Sequence, residues 1–496
     1  MTSSSLRALR SAFGARFSET LEERIGYGYD GTPLLSGRPA GVLRPRDVDD
    51  VVRVLGMAAE AGFGVVPRGA GTGLSGGSVP SDGSVVLLMN GWTRILEIDE
   101  ENLCAVVEPG VVTADLHRAV ESRGLFYPPD PGSMHVCTMG GNVAENSGGL
   151  RGLKYGVTRD YVLGVEAVLA TGEVYRGGGK SVKDVAGYDL VGLLVGSEGT
   201  LGVLTRILVR LVPRPETAAT LLALYASVAD AARAVSSILA ARIVPATLEF
   251  LDRTTLRCVE AYARIGLPTD AGALLLVEVD GRAAVVAEDA ARVEELCAAS
   301  GATRVIRARD ADEALRLKTA RRAAFSSLAR LSPTTILEDA TVPRSALPEM
   351  VAAVERIAAK HHLVIGNFGH AGDGNLHPTC CIDGRDPDQV ARAHRAFEEI
   401  FRAALDLGGT ITGEHGVGLS KKAFLPEAIG AGGMRWTRAI KRALDPAGVL
   451  NPGKVLDLER GPDGRLVGDE EGEPPRRAHP VPACERSPGA LRSADG

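Results

Sequence analysis

Three histidines and two carboxylates stand in two glycine-rich stretches, and side chains of these types are common ligands of metal ions. The first stretch, residues 366–377, reads Gly-Asn-Phe-Gly-His-Ala-Gly-Asp-Gly-Asn-Leu-His, and the second, residues 413–416, reads Gly-Glu-His-Gly. His370 and His377 are seven positions apart, so a turn or strand context could aim both imidazoles at one point. Glu414 is the candidate third ligand. Two imidazoles and a carboxylate suit zinc with an open position, and non-haem Fe(II) oxygenases hold iron with the same set.

His415 follows the candidate ligand Glu414 directly. If Glu414 faces the ion, His415 lies near a bound hydroxyl without being a ligand, and it is the candidate general base. Asp373 and Asn375 stand between the two ligand histidines. They are interpreted either as residues that orient the ligands or as ordinary turn residues.

A second glycine cluster, residues 67–77, reads Pro-Arg-Gly-Ala-Gly-Thr-Gly-Leu-Ser-Gly-Gly and follows a short predicted strand at 64–67. The backbone amides of such a loop can form an anion-binding nest for a diphosphate. The loop opens no helix with a downstream acid, so it does not meet the Rossmann fingerprint for NAD. Glycine-rich and proline-rich segments at 128–133, 138–149 and 187–202 repeat this chemistry, and four such loops imply a long ligand.

The hydrophobic pattern predicts the elements that must position these loops. Helices are predicted at 48–61, 112–122 and 386–407, and the last of these separates the two halves of the metal site. Strands are predicted at 84–89, 104–108, 162–170, 203–212 and 273–279. Pro213 and Pro215 break the pattern and predict a domain boundary.

Composition limits the classes of function. A chain of 496 residues predicts two or three domains, and a formal charge of −6 argues against nucleic acid as the main partner. No apolar run is long enough for a transmembrane segment. The seven cysteines form no C-x-x-C pair, which favours reduced thiols in a cytoplasm.

The two ends of the chain give separate predictions. Apolar residues at helical spacing between Met1 and Phe17 favour a peripheral amphipathic helix over an organellar transit peptide. Beyond Leu458 the sequence has little to bury, so disorder is predicted to Gly496.

From residue 41 to residue 455, these segments in this order resemble the flavoprotein superfamily of vanillyl-alcohol oxidase and p-cresol methylhydroxylase. Within it the chain is most similar to FAD-linked D-2-hydroxy-acid dehydrogenases and oxidases, which include the glycolate oxidase flavin subunit, D-lactate dehydrogenase and D-2-hydroxyglutarate dehydrogenase. The resemblance implies an α+β fold, with a two-subdomain FAD-binding domain of vanillyl-alcohol oxidase type and an α+β substrate (cap) domain with an antiparallel sheet. The expected divisions are an N-terminal helical segment (1–38), the FAD-binding domain (39–215), the cap domain with the metal-ligand loop (216–410), a C-terminal segment that returns to the flavin (411–457) and a disordered tail (458–496).

The resemblance also implies which residues hold FAD. Because the first loop, 65–80, contains no His or Cys, the flavin is expected to be non-covalent, and Cys137 is interpreted as a small buried thiol. The expected FAD-binding residues are Arg68, Gly69, Ala70, Gly71, Thr72, Gly73, Leu74, Ser75, Gly76, Pro131, Gly132, Ser133, Thr138, Gly141, Asn142, Asn146, Gly148, Gly149, Glu198, Gly199, Gly202, Val203 and Asn451.

The reaction implied by the resemblance is oxidation of a small D-2-hydroxy acid, such as glycolate, D-lactate or D-2-hydroxyglutarate, to the 2-oxo acid. His370, His377 and Glu414 would hold a divalent metal, zinc first with manganese or iron as alternatives, and His415 would take the hydroxyl proton. Hydride would pass to flavin N5. Arg321 matches the family's clamp for the substrate carboxylate, although Arg322 could take that role or both could lie on a solvated helix face.

Partners and rival functions stay open at this point. Oxygen, a quinone, a cytochrome, an electron-transfer flavoprotein or a partner redox subunit could reoxidise the flavin. A homodimer, or attachment to a membrane through a partner, is also compatible with the sequence. One rival is a non-catalytic flavin-binding subunit of a redox complex, although such a subunit would be expected to lack the histidine and glutamate set. The other rival is a metal hydrolase in which the glycine loops are only structural.

Overall fold

A computed structural model describes residues 1–459, 465 and 466, so the tail predicted beyond Leu458 falls almost entirely outside the described residues. The α-helices of the described part are α1 Ser3–Phe13, α2 Leu21–Gly26, α3 Val48–Ala61, α4 Thr113–Glu121, α5 Met139–Glu145, α6 Gly152–Tyr155, α7 Leu190–Leu194, α8 Val228–Ala240, α9 Arg253–Ala263, α10 Ala283–Ala299, α11 Ala311–Arg322, α12 Ala324–Leu328, α13 Leu347–Lys360, α14 Pro387–Asp406 and α15 Leu425–Leu444.

The strands alternate with these helices along the chain. They are β1 Phe17–Ser18, β2 Gly41–Leu43, β3 Val65–Arg68, β4 Val85–Leu88, β5 Ile95–Asp99, β6 Cys104–Val107, β7 Leu125–Phe126, β8 Val162–Val168, β9 Val174–Gly178, β10 Val203–Arg210, β11 Val212–Pro213, β12 Thr217–Tyr225, β13 Thr247–Asp252, β14 Ala273–Gly281, β15 Ala302–Arg307, β16 Thr334–Leu337, β17 Ala340–Thr341, β18 Val364–His370 and β19 Asn375–Ile382.

Helix α3 shows how local sequence fixes an element near the first glycine loop. The side chain of Asp47 accepts a hydrogen bond from the N–H of Asp50 and caps the helix start, and Gly62 ends it in the left-handed conformation. The apolar face of α3 packs beside β3 and β4 in one core. Strand β3 then delivers the chain into the loop that begins at Gly69.

The strands that precede and follow the glycine-rich loops along the chain belong mainly to two sheets. A four-stranded sheet has the order β1-β2-β4-β3, in which β2, β4 and β3 are parallel. A five-stranded antiparallel sheet has the order β5-β6-β10-β8-β9. The C-terminal segment returns to the first of these sheets, because Leu450 forms a parallel bridge with Val65.

The remaining large sheet is antiparallel, with the order β15-β12-β14-β13-β18-β19-β16 and with β17 also paired to β19. Helices cover both faces, since alternate residues of its strands belong to two separate cores. Helices α8, α10, α13 and α14 pack on one face, and α9, α11 and α12 pack on the other. The second face also carries the histidines of the candidate site.

The predicted elements correspond closely to the observed ones, with two corrections. The N-terminal helix ends at Phe13, and Phe17 lies in β1 opposite Leu43 because its ring is buried in the core of the four-stranded sheet. The predicted strand 203–212 ends at Arg210, and Val212 pairs instead with Phe126 of β7. Among the described residues, no helix is both long and apolar enough to cross a bilayer.

Candidate active site

The hairpin of β18 and β19 brings His370 and His377 to the same face of the large sheet. The strand register pairs His370 with Asn375 and Phe368 with His377. Residues 368 and 370 point to one face, and directly paired residues share a face, so both imidazoles project together. Gly374, in the turn, has φ +84°, and an added Cβ would lie 2.1 Å from the carbonyl oxygen of Val342, so the turn requires glycine.

Glu414 completes a set of three converging ligand atoms. Its Oε1 lies 3.3 Å from His370 Nε2 and 3.1 Å from His377 Nε2, and the two Nε2 atoms are 3.2 Å apart. Ligands of a tetrahedral ion at about 2.0 Å are themselves about 3.3 Å apart. The donor set and its spacing therefore fit a metal ion.

The charges around this point also favour a cation. Glu249 of β13 is fully buried, pairs in register with His370, and its Oε1 lies 2.6 Å from His370 Nδ1. Burial alone would lower the pKa of His370, but Glu249 and Glu414 raise that pKa well above its ordinary value. Burial likewise opposes the charge of Glu414, yet His370 and His377 hold its pKa well below normal. The two carboxylates thus stabilise positive charge between the imidazoles, whether a proton or a metal ion carries it.

His415 lies beside the three ligand atoms without belonging to them. Its ring stacks on that of His377 with centroids 5.0 Å apart, and its Nε2 is 3.8 Å from Glu414 Oε1. Burial lowers the pKa of His415 to about 4 against the opposing charge of Asp339. A neutral imidazole at this place can accept a proton.

The three ligand residues and the glycine-rich loops line one cavity of about 590 Å³. His370, His377, Glu414, His415 and Arg321 all contribute to its wall. All but four of the predicted FAD-binding residues line it as well, namely Arg68, Gly69, Ala70, Gly71, Thr72, Gly73, Leu74, Pro131, Gly132, Ser133, Thr138, Gly141, Asn142, Gly148, Gly149, Glu198, Gly199, Gly202 and Val203.

The other four predicted residues join the loops behind this wall. The carbonyl oxygen of Ser75 accepts from the N–H of Leu419 and of Ser420, and Gly76 N–H donates to Thr32. Asn146 accepts from Arg159 N–H through its side chain. Asn451 Nδ2 donates to the carbonyl oxygens of Gly77 and Glu198, 2.8 and 2.7 Å away. These four residues lie outside the cavity wall and hold neighbouring loops together.

The first glycine loop has the features of a diphosphate nest. The backbone N–H groups of residues 70–74 donate to no acceptor within the described part of the chain. The adjoining Thr138 caps helix α5 by accepting from Gly141 N–H. Cys137 is buried, and its Sγ lies 3.3 Å from Thr113 Oγ1, in agreement with the interpretation as a buried thiol. These loops fit an extended anionic cofactor such as FAD.

The two arginines of α11 differ in their surroundings. Arg321 is buried, its Nε donates to Glu249 Oε2 at 2.5 Å, and its guanidinium lies over the Phe368 ring at 4.8 Å. Arg322 is exposed and also lines the cavity. Both arginines therefore line the cavity, and Glu249 compensates the charge of Arg321.

Several residues of the site lie outside the predicted set. Glu249 and Asp339 are fully buried carboxylates that contact the site from neighbouring strands or loops, and Glu145 lines the cavity. Burial, and then Glu198, raise the pKa of Glu145 well above its ordinary value. The sequence signal for Glu249 was a charged residue inside an apolar strand. For Asp339 it was a carboxylate two positions after the end of strand β16. Their partners are distant in sequence, so the pattern alone could not assign them.

Asp373 and Asn375, the two residues between the histidines, lie in and beside the hairpin turn. Asp373 Oδ1 accepts from Asn375 N–H within the hairpin turn, and burial raises the pKa of Asp373 to about 6. Neither residue belongs to the cavity wall. The contacts support the turn interpretation for Asp373, and Asn375 lies against the loop of Glu414, close to Gly413.

Family comparisons match most of the chain. Residues 39–178 match the FAD binding domain, and residues 214–455 match the C-terminal domain of FAD linked oxidases. The glycolate oxidase subunit GlcD of Bacillus subtilis (strain 168) is 56% identical over 440 residues, which cover 89% of this chain and 94% of that protein. GlcD of Escherichia coli (strain K12) is 40% identical over 91% of this chain and 90% of its own length. A D-lactate dehydrogenase of Anaerostipes hadrus is 34% identical over 84% of this chain and 90% of its length.

Solved structures share the fold at low identity. p-Cresol methylhydroxylase with substrate bound superposes with a TM-score of 0.76 at 18% identity, over 92% of this chain and 97% of that chain. 4-Ethylphenol oxidase from Gulosibacter chungangensis has a TM-score of 0.75 at 18% identity, over 92% and 98% respectively. The predicted α+β architecture of vanillyl-alcohol oxidase type, with its antiparallel second sheet, is therefore confirmed.

Proposed function

Because the chain belongs to the family of FAD-linked oxidases, we propose that it oxidises a small D-2-hydroxy acid to the 2-oxo acid with FAD and a divalent metal ion in the cavity described above. The chain is an FAD-linked oxidoreductase that acts on CH–OH donors, like relatives named glycolate oxidase subunit and D-lactate dehydrogenase. This membership sets aside the metal hydrolase. The observation that carries the proposal is the convergence of His370, His377 and Glu414 at 3.1 to 3.3 Å in the cavity of the glycine loops.

The cofactor would lie along the glycine-rich wall. The N–H groups of residues 70–74 would hold the diphosphate, and the segments 131–133 and 138–149 would line the rest of the flavin half. Glu198 to Val203 would meet the adenosine half. When bound, FAD supplies a two-electron acceptor and the metal ion supplies a Lewis acid that lowers the pKa of a coordinated hydroxyl. Zinc suits the donor set, with manganese or iron as alternatives.

The side chains of this protein would divide the remaining tasks. His370, His377 and Glu414 would hold the ion and leave one position open for the substrate hydroxyl. His415 would accept the hydroxyl proton at Nε2, the ring nitrogen nearest to Glu414. The retention of this whole set argues against a purely flavin-binding subunit.

The substrate carboxylate would be bound by an arginine of α11. Arg321 is held by Glu249 and Phe368, so its remaining guanidinium N–H groups are already oriented. Arg322 lines the same cavity and is the alternative. Which of the two binds the carboxylate decides how far the hydroxy acid extends from the metal, and with it the choice among glycolate, D-lactate and D-2-hydroxyglutarate.

The acceptor of the electrons would be external to this chain. The cysteines of the described part are all free thiols, without any cluster for iron and sulfur ligation. We expect a quinone, a cytochrome, an electron-transfer flavoprotein or a partner redox subunit to reoxidise the flavin. We also propose a homodimer that is located in the cytoplasm or is attached to a membrane through a partner.

Anaerobic mixing of the flavin-bound enzyme with a panel of D- and L-2-hydroxy acids tests the proposal. The D-acids should bleach the oxidised flavin absorbance, and prior treatment with a chelator should abolish the bleaching until metal is restored. Bleaching by L-acids alone, or full bleaching by the chelated enzyme, would contradict the proposal.

A further inference from the structure

One oxygen of Asp339 collects the donors of the loop that carries Glu414 and His415. Asp339 Oδ2 accepts hydrogen bonds from Thr412 Oγ1 at 2.7 Å, and from the backbone N–H of Gly413, Glu414 and His415 at 2.8, 2.9 and 3.0 Å. Three consecutive amides on one carboxylate oxygen fix the backbone of this loop. Hydrogen bonds to a charged acceptor are stronger than those to a neutral one, so Asp339 holds the backbone of this loop tightly.

The carboxylate of Asp339 is kept ionised although it is fully buried. Burial would raise its pKa, but the ammonium of Lys421 holds the pKa below its ordinary value. Lys421 is also fully buried, with Nζ 3.8 Å from Asp339 Oδ2 and 3.5 Å from Glu338 Oε2. A buried charge of this kind needs a partner and several hydrogen bonds, and Asp339 has both.

The second oxygen of this carboxylate is buried near the histidines of the site. Asp339 Oδ1 has no hydrogen-bond partner among the described residues, and neither has the Nδ1 atom of His377 or of His415. A carboxylate oxygen of Asp339 and one ring nitrogen from each of these histidines lie within 4.8 Å of one another. Small rotations of the rings would let Asp339 accept from an Nδ1–H, which leaves the opposite Nε2 lone pair for a ligand or a proton.

From these contacts we infer that Asp339 is a positioning residue, which fixes Glu414 and His415 through their backbone amides and orients the rings of His377 and His415. The inference rests on the proposed function for what the fixed side chains do. Asp339 itself lies outside the cavity wall and touches no reacting atom. It acts by holding the metal ligand on the loop and the base beside it at constant separation.

A second metal ion held by Asp339, His377 and His415 is the competing explanation of this cluster. Lys421 places a positive charge 3.8 Å from the carboxylate, and Oδ2 is already used by four donors. Both facts disfavour a cation there. The number of metal ions bound per chain separates the two explanations.

The variants Asp339→Asn and Glu338→Gln form a matched pair for the test. They are adjacent buried acids that share Lys421, and each change converts a carboxylate to an amide, but Glu338 accepts no hydrogen bond from the loop. The flavin-bound enzyme is loaded with Co(II) as the probe. Amide hydrogen exchange of residues 413–415, the visible absorption of the bound Co(II) and its rate of loss to a chelator are then compared with the wild type.

Asp339→Asn should speed exchange of these amides, alter the Co(II) bands, and increase the loss of Co(II) about 10- to 100-fold, the usual effect of removing an outer-shell partner. Glu338→Gln should match the wild type, and both variants should retain flavin. The inference is overturned if the two variants behave alike. It is also overturned if wild type binds two Co(II) ions and Asp339→Asn binds one, because Asp339 would then be a ligand.

A second variant and a readout that is independent of the metal complete the test. If Asp339→Asn does not fold, Thr412→Val removes only one of the four donors and should show a smaller increase in exchange at residues 413–415. No change in that variant would count against the inference. Hydrogen exchange needs neither turnover nor metal, so failure of the proposed oxidation leaves the role of Asp339 separately tested.

Discussion

At the scale of single residues, Glu249 connects the metal-ligand hairpin to the helix of the arginines. Its two oxygens contact His370 Nδ1 at 2.6 Å and Arg321 Nε at 2.5 Å, and the side chain is fully buried. When His370 donates from Nδ1 to this carboxylate, its Nε2 lone pair is directed at the ion. One buried acid thereby orients both the proposed metal ligand His370 and the proposed substrate-binding residue Arg321.

We predict that Glu249→Gln lowers metal affinity about 10- to 100-fold, because an amide oxygen is a weaker acceptor for the His370 N–H. Titration of metal into the stripped protein measures this. Glu278→Gln is the matched control, since Glu278 lies on the neighbouring strand and pairs with Lys318 one turn earlier on α11. Equal losses in both variants would show that Glu249 supports only the packing of the sheet.

A second prediction concerns the candidate base. His415→Ala should slow flavin reduction by substrate about 10²- to 10⁴-fold, the range for loss of a general base, while flavin and metal stay bound. Stopped-flow absorbance under anaerobic conditions gives the rate. His394→Ala, an exposed histidine of α14, should leave the rate unchanged. An undiminished rate in His415→Ala would assign the proton transfer to another group.

At the scale of elements, the glycine-rich loop that follows α5 meets the loop of Glu414 in close contact. A Cβ added at Gly148 would lie 2.5 Å from Glu414 Oε2 and 3.2 Å from Glu414 Cβ. Glycine at this position therefore lets Glu414, the proposed metal ligand from the C-terminal part of the chain, approach the glycine-rich wall of the cavity. The two loops are far apart in sequence, and the site exists only where they touch.

Gly148→Ala should displace Glu414 and weaken metal binding more than flavin binding. Metal and flavin content of the purified variant, measured together, check this. Gly56→Ala in α3 has open space around the new Cβ and should instead raise the free energy of unfolding by roughly 0.5 to 1 kcal/mol, because alanine favours a helix interior. Normal metal content in Gly148→Ala would mean that the loops separate easily.

Elements with strong local patterns could be predicted from the sequence, and contacts between them could not. The 3.6-residue period predicted α3 with its observed bounds, and the strand before the glycine loop was correct to one residue. Strand 203–212 was extended too far, because pairing of Val212 with Phe126 depends on a distant strand. Helix α15 was not predicted, and its two halves meet at a kink at Gly430.

The site shows the same limit. His370 and His377 could be paired from their spacing, and Glu414 was joined to them by chemistry that the structure then brought to 3.1 and 3.3 Å. Glu249 and Asp339 were missed, because the role of a buried carboxylate can be assigned only when the groups that donate hydrogen bonds to it are known. These donors come from 72 to 121 positions away.

At the scale of the whole molecule, the proposed reaction centre lies where three parts of the chain meet. The glycine-rich loops come from the first 203 residues, the two histidines from the large antiparallel sheet, and Glu414 with His415 from the C-terminal part. The same C-terminal part returns to β3 through the bridge of Leu450 to Val65 and the amide of Asn451. These three parts must therefore fold together before the proposed flavin and metal sites can face each other.

The most direct test of this arrangement is anomalous diffraction at the metal absorption edge from crystals of the flavin-bound enzyme. We predict a single peak per chain, within bonding distance of His370 Nε2, His377 Nε2 and the Glu414 carboxylate, in the cavity that also holds the flavin ring. A peak elsewhere, or a flavin ring bound away from these three side chains, would contradict the account.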